Sequence, residues 1–283
     1  MNVNSMLSNM GDFPLAQRRS LLSRRDRSAS GGLRPERSGA ESTSDPAAAD
    51  RDLVANYYRT AYTHVFGGSG VAGRSYRLTH RALEWGVVST GSRILEIGAG
   101  DGQHLEYVAD DFAEYVMLDP FGQPSHWPGS ADDCVRWVKG RAEDCDAELG
   151  QFDRVIATCV LHHVDDVAEV LRNVRKWLRP GGRFSLFLPS DPGLLNRLNR
   201  RLFVTPRARR LGFDQYVLFN AREHRNHYWS IRTELLHQFS DCRVSRRYYP
   251  FGIPVAGLSL FSIWQITVPE SLAEVTPTQG QTP

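Results

Sequence analysis

ILEIGAGDGQHL, residues 94–105, decides how the rest of this chain is read. An apolar run ends at Glu96, and glycine then takes every second position, at Gly98, Gly100 and Gly102. Glycine beyond the carboxyl end of a buried strand reaches positive φ at little cost and lets a ligand lie directly on the backbone. The spacing is GxGxG after an acid, not the GxGxxG of a dinucleotide site. A pyrophosphate requires bare helix N–H groups. An acid at Glu96 repels phosphate and suits an ammonium group.

Outward from this turn the chain alternates between two periods. Helical spacing over 74–86 precedes it, after a Tyr- and Ala-rich helical stretch at 52–66. Short apolar runs at 93–97, 114–120, 135–140, 152–161 and 183–189 read as strands. The turn itself leads into a helix expected over about 102–112. A further helix over 164–178 is stopped by RPGG at 179–182. Beyond a basic segment, 230–239 reads as a helix, and CRVSRRYYP and LSLFSIWQITV as a closing antiparallel pair. Near-continuous apolar strands alternating with helices predict an α/β, doubly wound, mostly parallel sheet covered on both faces. Ligands of such sheets bind beyond the carboxyl ends of the strands, where the strand order reverses.

These segments resemble the class I S-adenosylmethionine-dependent methyltransferases. Glu96-Ile97-Gly98-Ala99-Gly100-Asp101-Gly102 is similar to the family's first motif, and Asp119 stands 21 residues after Gly98 at the end of the second strand. GRAEDC (140–145), FDRVIATCVLHHVDD (152–166) and LRPGGRFSLFLP (178–189) follow in the family's order. The resemblance covers roughly 90–190, and five segments in register make it specific. It implies a seven-stranded Rossmann-like sheet with an antiparallel final hairpin and S-adenosyl-L-methionine as cofactor. Carried over residue by residue, Glu96, Gly98, Ala99, Gly100, Gly102 and Asp119 line the cofactor, with Asp119 on the ribose hydroxyls. Ala142 and Glu143 face the adenine, and Cys159, at the end of the fourth-strand segment, is a further cofactor contact. One departure is Arg141, where many relatives carry an acid. It moves the adenine contact onto the Ala142 backbone and Glu143 or Asp144.

Composition bounds the remainder. The 283 residues, 41% hydrophobic and 23% charged, suit one globular domain over 51–270. Residues 1–50 hold nine serines, seven arginines and no lysine, with no apolar period, and read as a disordered leader. The same composition resembles an organelle transit peptide, and both readings stand on the sequence alone. Residues 271–283 read as a disordered tail. Four cysteines (134, 145, 159, 242) show neither CxxC nor zinc spacing, so reduced thiols, no metal and a cytoplasmic setting are expected. The +2 net charge gives no reason to expect nucleic acid, and the NPPY-like tetrapeptide of nucleic-acid methyltransferases is replaced by TCVLHH. Oligomeric state is not legible.

The informative departure is 191–229, expected as a helical lid over the acceptor. It carries eight arginines, no lysine and three acids. In LLNRLNRRLF, leucines 194, 195, 198 and 202 form one helical stripe, and arginines 197, 200 and 201 are expected to fan out opposite. Such a helix suits an anionic ligand or a peripheral membrane contact through 194–203, or is a solvated helix packed on the lid. REHRNHYW adds His224 and His227 as candidate bases, with packing as the alternative. His162 and His163 are further candidates, although adjacent loop residues rarely converge on one ion. His104, on the first turn after the glycines, either faces the cofactor's amino-acid end or reads as a helix-surface residue, the second being the expectation. The function expected is O-methylation of a small-molecule, glycan or lipid-linked sugar acceptor carrying or lying near an anionic group. N- or C-methylation of a lipid headgroup, quinone or secondary metabolite is the second enzyme reading. A non-catalytic methyltransferase-fold binding subunit is the reading from another class.

Overall fold

The computed structural model describes residues 71–87, 90–108, 112–123, 133–145 and 150–270. The leader at 1–50, the helix expected at 52–66 and the tail at 271–283 lie outside the described residues. The first described element is helix α1 (Val71–Leu83). Strands β1 (Ser92–Ile97), β2 (Phe112–Asp119), β3 (Val135–Lys139) and β4 (Phe152–Thr158) follow, then helix α2 (Val167–Trp177) and β5 (Leu178–Pro189). The lid contains α3 (Leu194–Asn199), a π-helical turn at Arg200–Val204, α4 (Thr205–Arg210) and α5 (Tyr216–Glu223). Helix α6 (Tyr228–Gln238), β6 (Arg243–Tyr249) and β7 (Phe261–Thr267) complete the domain.

The seven strands form one sheet in the order β3-β2-β1-β4-β5-β7-β6. β1 to β5 are parallel, and β7 is antiparallel to both β5 and β6. The order reverses between β1 and β4, so the crevice for a ligand opens beyond their carboxyl ends.

Period-two alternation assigns the two faces. Leu95, Ile97, Val116, Val155 and Leu186 face α2 and α6, and meet Val170, Trp177, Ile231 and Phe239. Ile94, Tyr115, Met117 and Ile156 face the other way, onto Ala82 and Leu83 of α1. Glu96 shares the parity of Ile94 and therefore points toward α1. Helix α2 begins where Asp166 accepts a hydrogen bond from the Glu169 amide (2.9 Å). It ends at Leu178, whose backbone is extended.

Two expectations change. The helix expected after the glycines is only a 3₁₀ turn, Gln103–Tyr107. Gly102 precedes it in the left-handed conformation (φ 70°) without a capping side chain, and the chain turns extended at Val108. The RPGG stop lies inside β5, not before it. A register irregularity between Phe152 and Arg154 absorbs it.

Candidate active site

The glycine turn is held against β2 by its own backbone. The Gly98 amide donates to Leu118 O (2.8 Å) and the Gly102 amide to Ala99 O (2.9 Å). Gly98 has φ 65°, and a Cβ there would lie 1.9 Å from Val160 Cγ2, so the β4 loop packs on a bare backbone. Above Gly100 (φ 56°) a Cβ would meet nothing within 4 Å, which leaves an open cradle. Asp119 closes the turn by accepting from the amides of Gly100 (2.9 Å) and Phe121 (2.8 Å). Burial raises its pKa, against those two hydrogen bonds.

Two hollows share Gly98. The larger, about 240 Å³, is walled by Leu118, Pro120, Ala142, Val160 and Val164, with Glu143 and His163 at its edge. Its apolar walls suit a flat ring. Glu143 is engaged there, accepting from Arg141 Nη2 (3.0 Å) and the Asp165 amide (2.9 Å). Arg141 also pairs with Asp165, so this departure from the family pattern braces the wall. The Asn173 side-chain amide fixes the 142–143 backbone by donating to both carbonyls (3.0 Å each).

The smaller hollow, about 50 Å³, is lined by Glu96, Tyr76, His80, Ala99 and Thr158, among others. Glu96 is buried and accepts from the Tyr115 hydroxyl (2.9 Å). Burial raises its pKa, which describes a carboxylate set up for a cation. Behind it runs a buried chain that the sequence reading missed. Arg154 of β4 donates through Nη1 and Nη2 to Glu84 (2.8 Å each), and Glu84 accepts from His104 Nε2 (3.0 Å). The Nδ1 atoms of His104 and His80 lie 2.9 Å apart. Burial would raise Glu84, but Arg154 and His104 hold its carboxyl at about 2. A carboxylate only accepts, so His104 Nε2 carries hydrogen. For two neutral rings, His104 Nδ1 is then a lone pair and His80 Nδ1 the donor. His80 Nε2 is left as an acceptor, and it is buried with no hydrogen-bond partner. Burial and the neighbouring His104 hold His80 neutral, with its pKa lowered to about 3. His104 is thus not the surface residue expected: it is fully buried. The short turn folds inward under α1, where a continued helix would have exposed it.

The third feature assembles residues 60 apart in sequence. The lid returns to the β4 loop when the amides of Arg225 and Asn226 donate to His162 O (3.0 and 3.3 Å). The Asn226 side chain donates to Leu161 O (3.1 Å) and Val164 O (2.7 Å). This seam places the His224 ring 4.2 Å from that of His162 and 5.1 Å from that of His163. His224 Nδ1 meets Asp191 Oδ2 at 3.1 Å, leaving Nε2 as the free lone pair. Burial alone would raise Asp191, but His224 and Arg200 hold it at about 2. Burial lowers the pKa of His224 and outweighs Asp191. The three rings bring ligand nitrogens within 4.8 Å of one another, a set that could hold a metal ion. The Arg200 guanidinium, which donates to Asp191 and Asn220, sets positive charge beside this set. That charge favours a neutral proton acceptor over a cation site. Arg200 therefore points inward, not outward with Arg197 and Arg201 as the helical stripe suggested.

His227 is exposed at the start of α6 and does not join the three rings. Cys159 has φ 61° where every other positive φ among the described residues is glycine, and burial pushes its thiol up to about 12. Its Sγ lies 3.6 Å from His162 Nε2. None of the four cysteines is in a disulfide.

A family model described as a methyltransferase domain matches residues 95–184, from the glycine turn through β5. Over residues 95–184 the chain is thus similar to a methyltransferase domain. The chain is 29% identical across 116 residues to an uncharacterized methyltransferase of Synechocystis, covering 40% of this chain and 55% of that protein. It is 30% identical across 119 residues to an uncharacterized methyltransferase of Bacillus subtilis, covering 38% and 47%. The chain thus spans about half the length of these relatives. The plantazolicin methyltransferase BpumL, solved in complex with SAH, superposes with a TM-score of 0.53 at 13% identity. That superposition covers 78% of this chain and 95% of that one, a likeness of fold. The matched segment carries the glycine turn, Asp119 and the His162–His163 loop, while His80, Glu84, Asp191 and His224 lie outside it.

Proposed function

We propose that the chain is an S-adenosylmethionine-dependent methyltransferase that methylates a hydroxyl on a small-molecule, glycan or lipid-linked sugar acceptor. Its observation is the His224–Asp191 pair, stitched by the lid onto the loop that edges the larger hollow. When bound, the cofactor supplies a methyl group already activated by a sulfonium charge. In this reading Glu96 and His80 Nε2 accept from the ammonium end, and Asp119 from the ribose hydroxyls. The walls at Leu118, Ala142, Val160 and Val164 enclose the adenine. The fit rests on the raised Glu96 carboxyl, the orphaned His80 Nε2 and the open cradle over Gly100.

A hydroxyl becomes a nucleophile as it loses its proton, so this chemistry requires a positioned base. His224 Nε2 takes that proton, and the Asp191 carboxylate stabilises the imidazolium formed. Arg200 fixes Asp191 in turn. An amine acceptor has its own lone pair and would not depend on His224. His224→Gln is therefore expected to lower the rate of labelled methyl transfer by about 10²–10⁴-fold. Cofactor affinity should stay within about threefold, under 1 kcal/mol. A variant retaining full turnover would exclude this base and favour the N-methylation reading.

A further inference from the structure

The outer face of the lid is not explained by the chemistry beneath it. From Pro192 to Phe213 the chain contains six arginines and no lysine, aspartate or glutamate. In a soluble surface helix such charge would alternate with acids and apolar groups would turn inward. Here Leu194 is 69% exposed, Leu202 54% and Phe203 60%, and Leu198 stands between them on the same i, i+4 stripe. Arg197 and Arg201 are exposed immediately beside that stripe. The opposite side of α3 is engaged: Asn196 donates to Leu260 O (2.8 Å) and Arg200 holds Asp191. The apolar stripe therefore faces outward while the inner face is already satisfied. Among the described residues no helix is long and apolar enough to cross a membrane.

We propose that α3 and the following π-helical turn dock on an anionic lipid surface. Leu198, Leu202 and Phe203 enter the interface, and Arg197 and Arg201 meet lipid phosphates. An interfacial helix needs an apolar stripe flanked by cations, lying in the plane and not across it. Arginine binds phosphate oxygens bidentately, and the cytoplasmic leaflet's anionic lipids attract such clusters within a Debye length. A second copy of this chain fits less well, because a twofold contact would set arginine against arginine with no carboxylate in the segment to compensate. Docking brings Asp191 and His224 toward the lipid surface, since Arg200 joins the π-helical turn to Asp191, which meets His224. The acceptor would then be an amphiphile presented by the membrane. That last step rests on the methyl-transfer reading; the docking does not.

The test is sedimentation of the full chain, without cofactor, on phosphatidylcholine vesicles with and without phosphatidylglycerol. Binding is expected only with phosphatidylglycerol and should be lost at high salt, where the Debye length shrinks to about 3 Å. The exposed pair Arg197→Gln/Arg201→Gln should lower the partition coefficient at least roughly tenfold, and so should Leu202→Asp/Phe203→Asp. Both pairs should keep the native melting temperature and cofactor affinity. Equal binding to neutral vesicles, no binding to either, or a dimer in sedimentation velocity dissolved by Leu202→Asp/Phe203→Asp would overturn the proposal. Vesicle binding by a chain that calorimetry shows not to bind S-adenosylmethionine would leave the docking intact and remove the enzymatic reading alone.

Discussion

Glu84→Gln perturbs the buried chain at its one charged acceptor. Glu84 receives both Nη atoms of Arg154 and Nε2 of His104. Removing one partner of a buried ion pair costs about 3–5 kcal/mol. Arg154 keeps Ser185 Oγ (2.9 Å) and Leu83 O (3.2 Å), so the loss should fall near the lower end. At about 2–4 °C per kcal/mol for a domain of this size, the melting temperature should drop by roughly 6–12 °C. The more specific consequence is a change of tautomer. The glutamine oxygen stays with Arg154 and its NH₂ then donates to His104 Nε2. The His104 hydrogen moves to Nδ1, the His80 hydrogen moves to Nε2, and the acceptor in the smaller hollow becomes a donor. An ammonium group placed there loses a charge-assisted hydrogen bond of about 1.5–3 kcal/mol, or about 10- to 150-fold in affinity. Calorimetry with S-adenosylmethionine measures that loss, and ring ¹⁵N shifts of His80 report the tautomer. His80→Leu should lose affinity comparably, and adding Glu84→Gln to it should cost nothing further in affinity. Unchanged affinity in folded Glu84→Gln, or losses that simply add in the double variant, would refute the relay.

Asp119→Ala should weaken cofactor binding by about 10- to 150-fold, from charged hydrogen bonds worth about 1.5–3 kcal/mol, with calorimetry on the folded variant as the check. The pH–rate profile should be flat above the ordinary histidine value of 6.5 and fall at a midpoint below it, because burial lowers His224 and only the neutral ring accepts a proton. Asp191→Asn removes the charge that holds this pKa up and should shift that acid limb lower still while reducing the rate. For stability, unfolded His80 takes up a proton below 6.5 while folded His80 stays neutral down to about 3. Its contribution is therefore complete above 6.5 and is lost between 6.5 and about 3, at about 1.4 kcal/mol per pH unit. Denaturant titrations across that window should show a slope smaller by this amount in His80→Leu than in the native chain.

What the sequence made legible was whatever obeys local rules. Short apolar runs placed the strands, the acid–glycine turn marked where the sheet opens, and Asp119 stood at the end of β2, 21 residues after Gly98. What escaped was decided by partners distant in sequence. Arg154 sits inside the apolar run FDRVIATCVL and reads as an interruption. Only the fold sets it beneath the carboxyl end of α1, next to Leu83 O and Glu84. A charged residue at an inward parity of a buried strand was the available signal, since such a group is tolerated only when paired. His80 and His104 carried no local signal, being 24 residues apart and joined only by the collapse of a helix into one 3₁₀ turn.

The lid illustrates the same limit more sharply, because helical spacing there was read correctly and still misplaced one arginine. Arg197, Arg200 and Arg201 share a helical side on any wheel, yet Arg200 lies over Asp191, which the chain presents at the end of β5. A buried carboxylate must find a donor, and Arg200, nine residues on, supplies it. That single pairing divides the basic segment into two jobs. The inward arginine orders Asp191 and through it His224, so it belongs with the chemistry. The outward ones meet no acid between Pro192 and Phe213, so their charge is directed beyond the protein. Substituting Arg200 should therefore change the pH–rate profile, whereas substituting Arg197 and Arg201 should leave it unchanged and move only lipid binding. A common effect of all three on one readout would show that the lid is a single electrostatic surface.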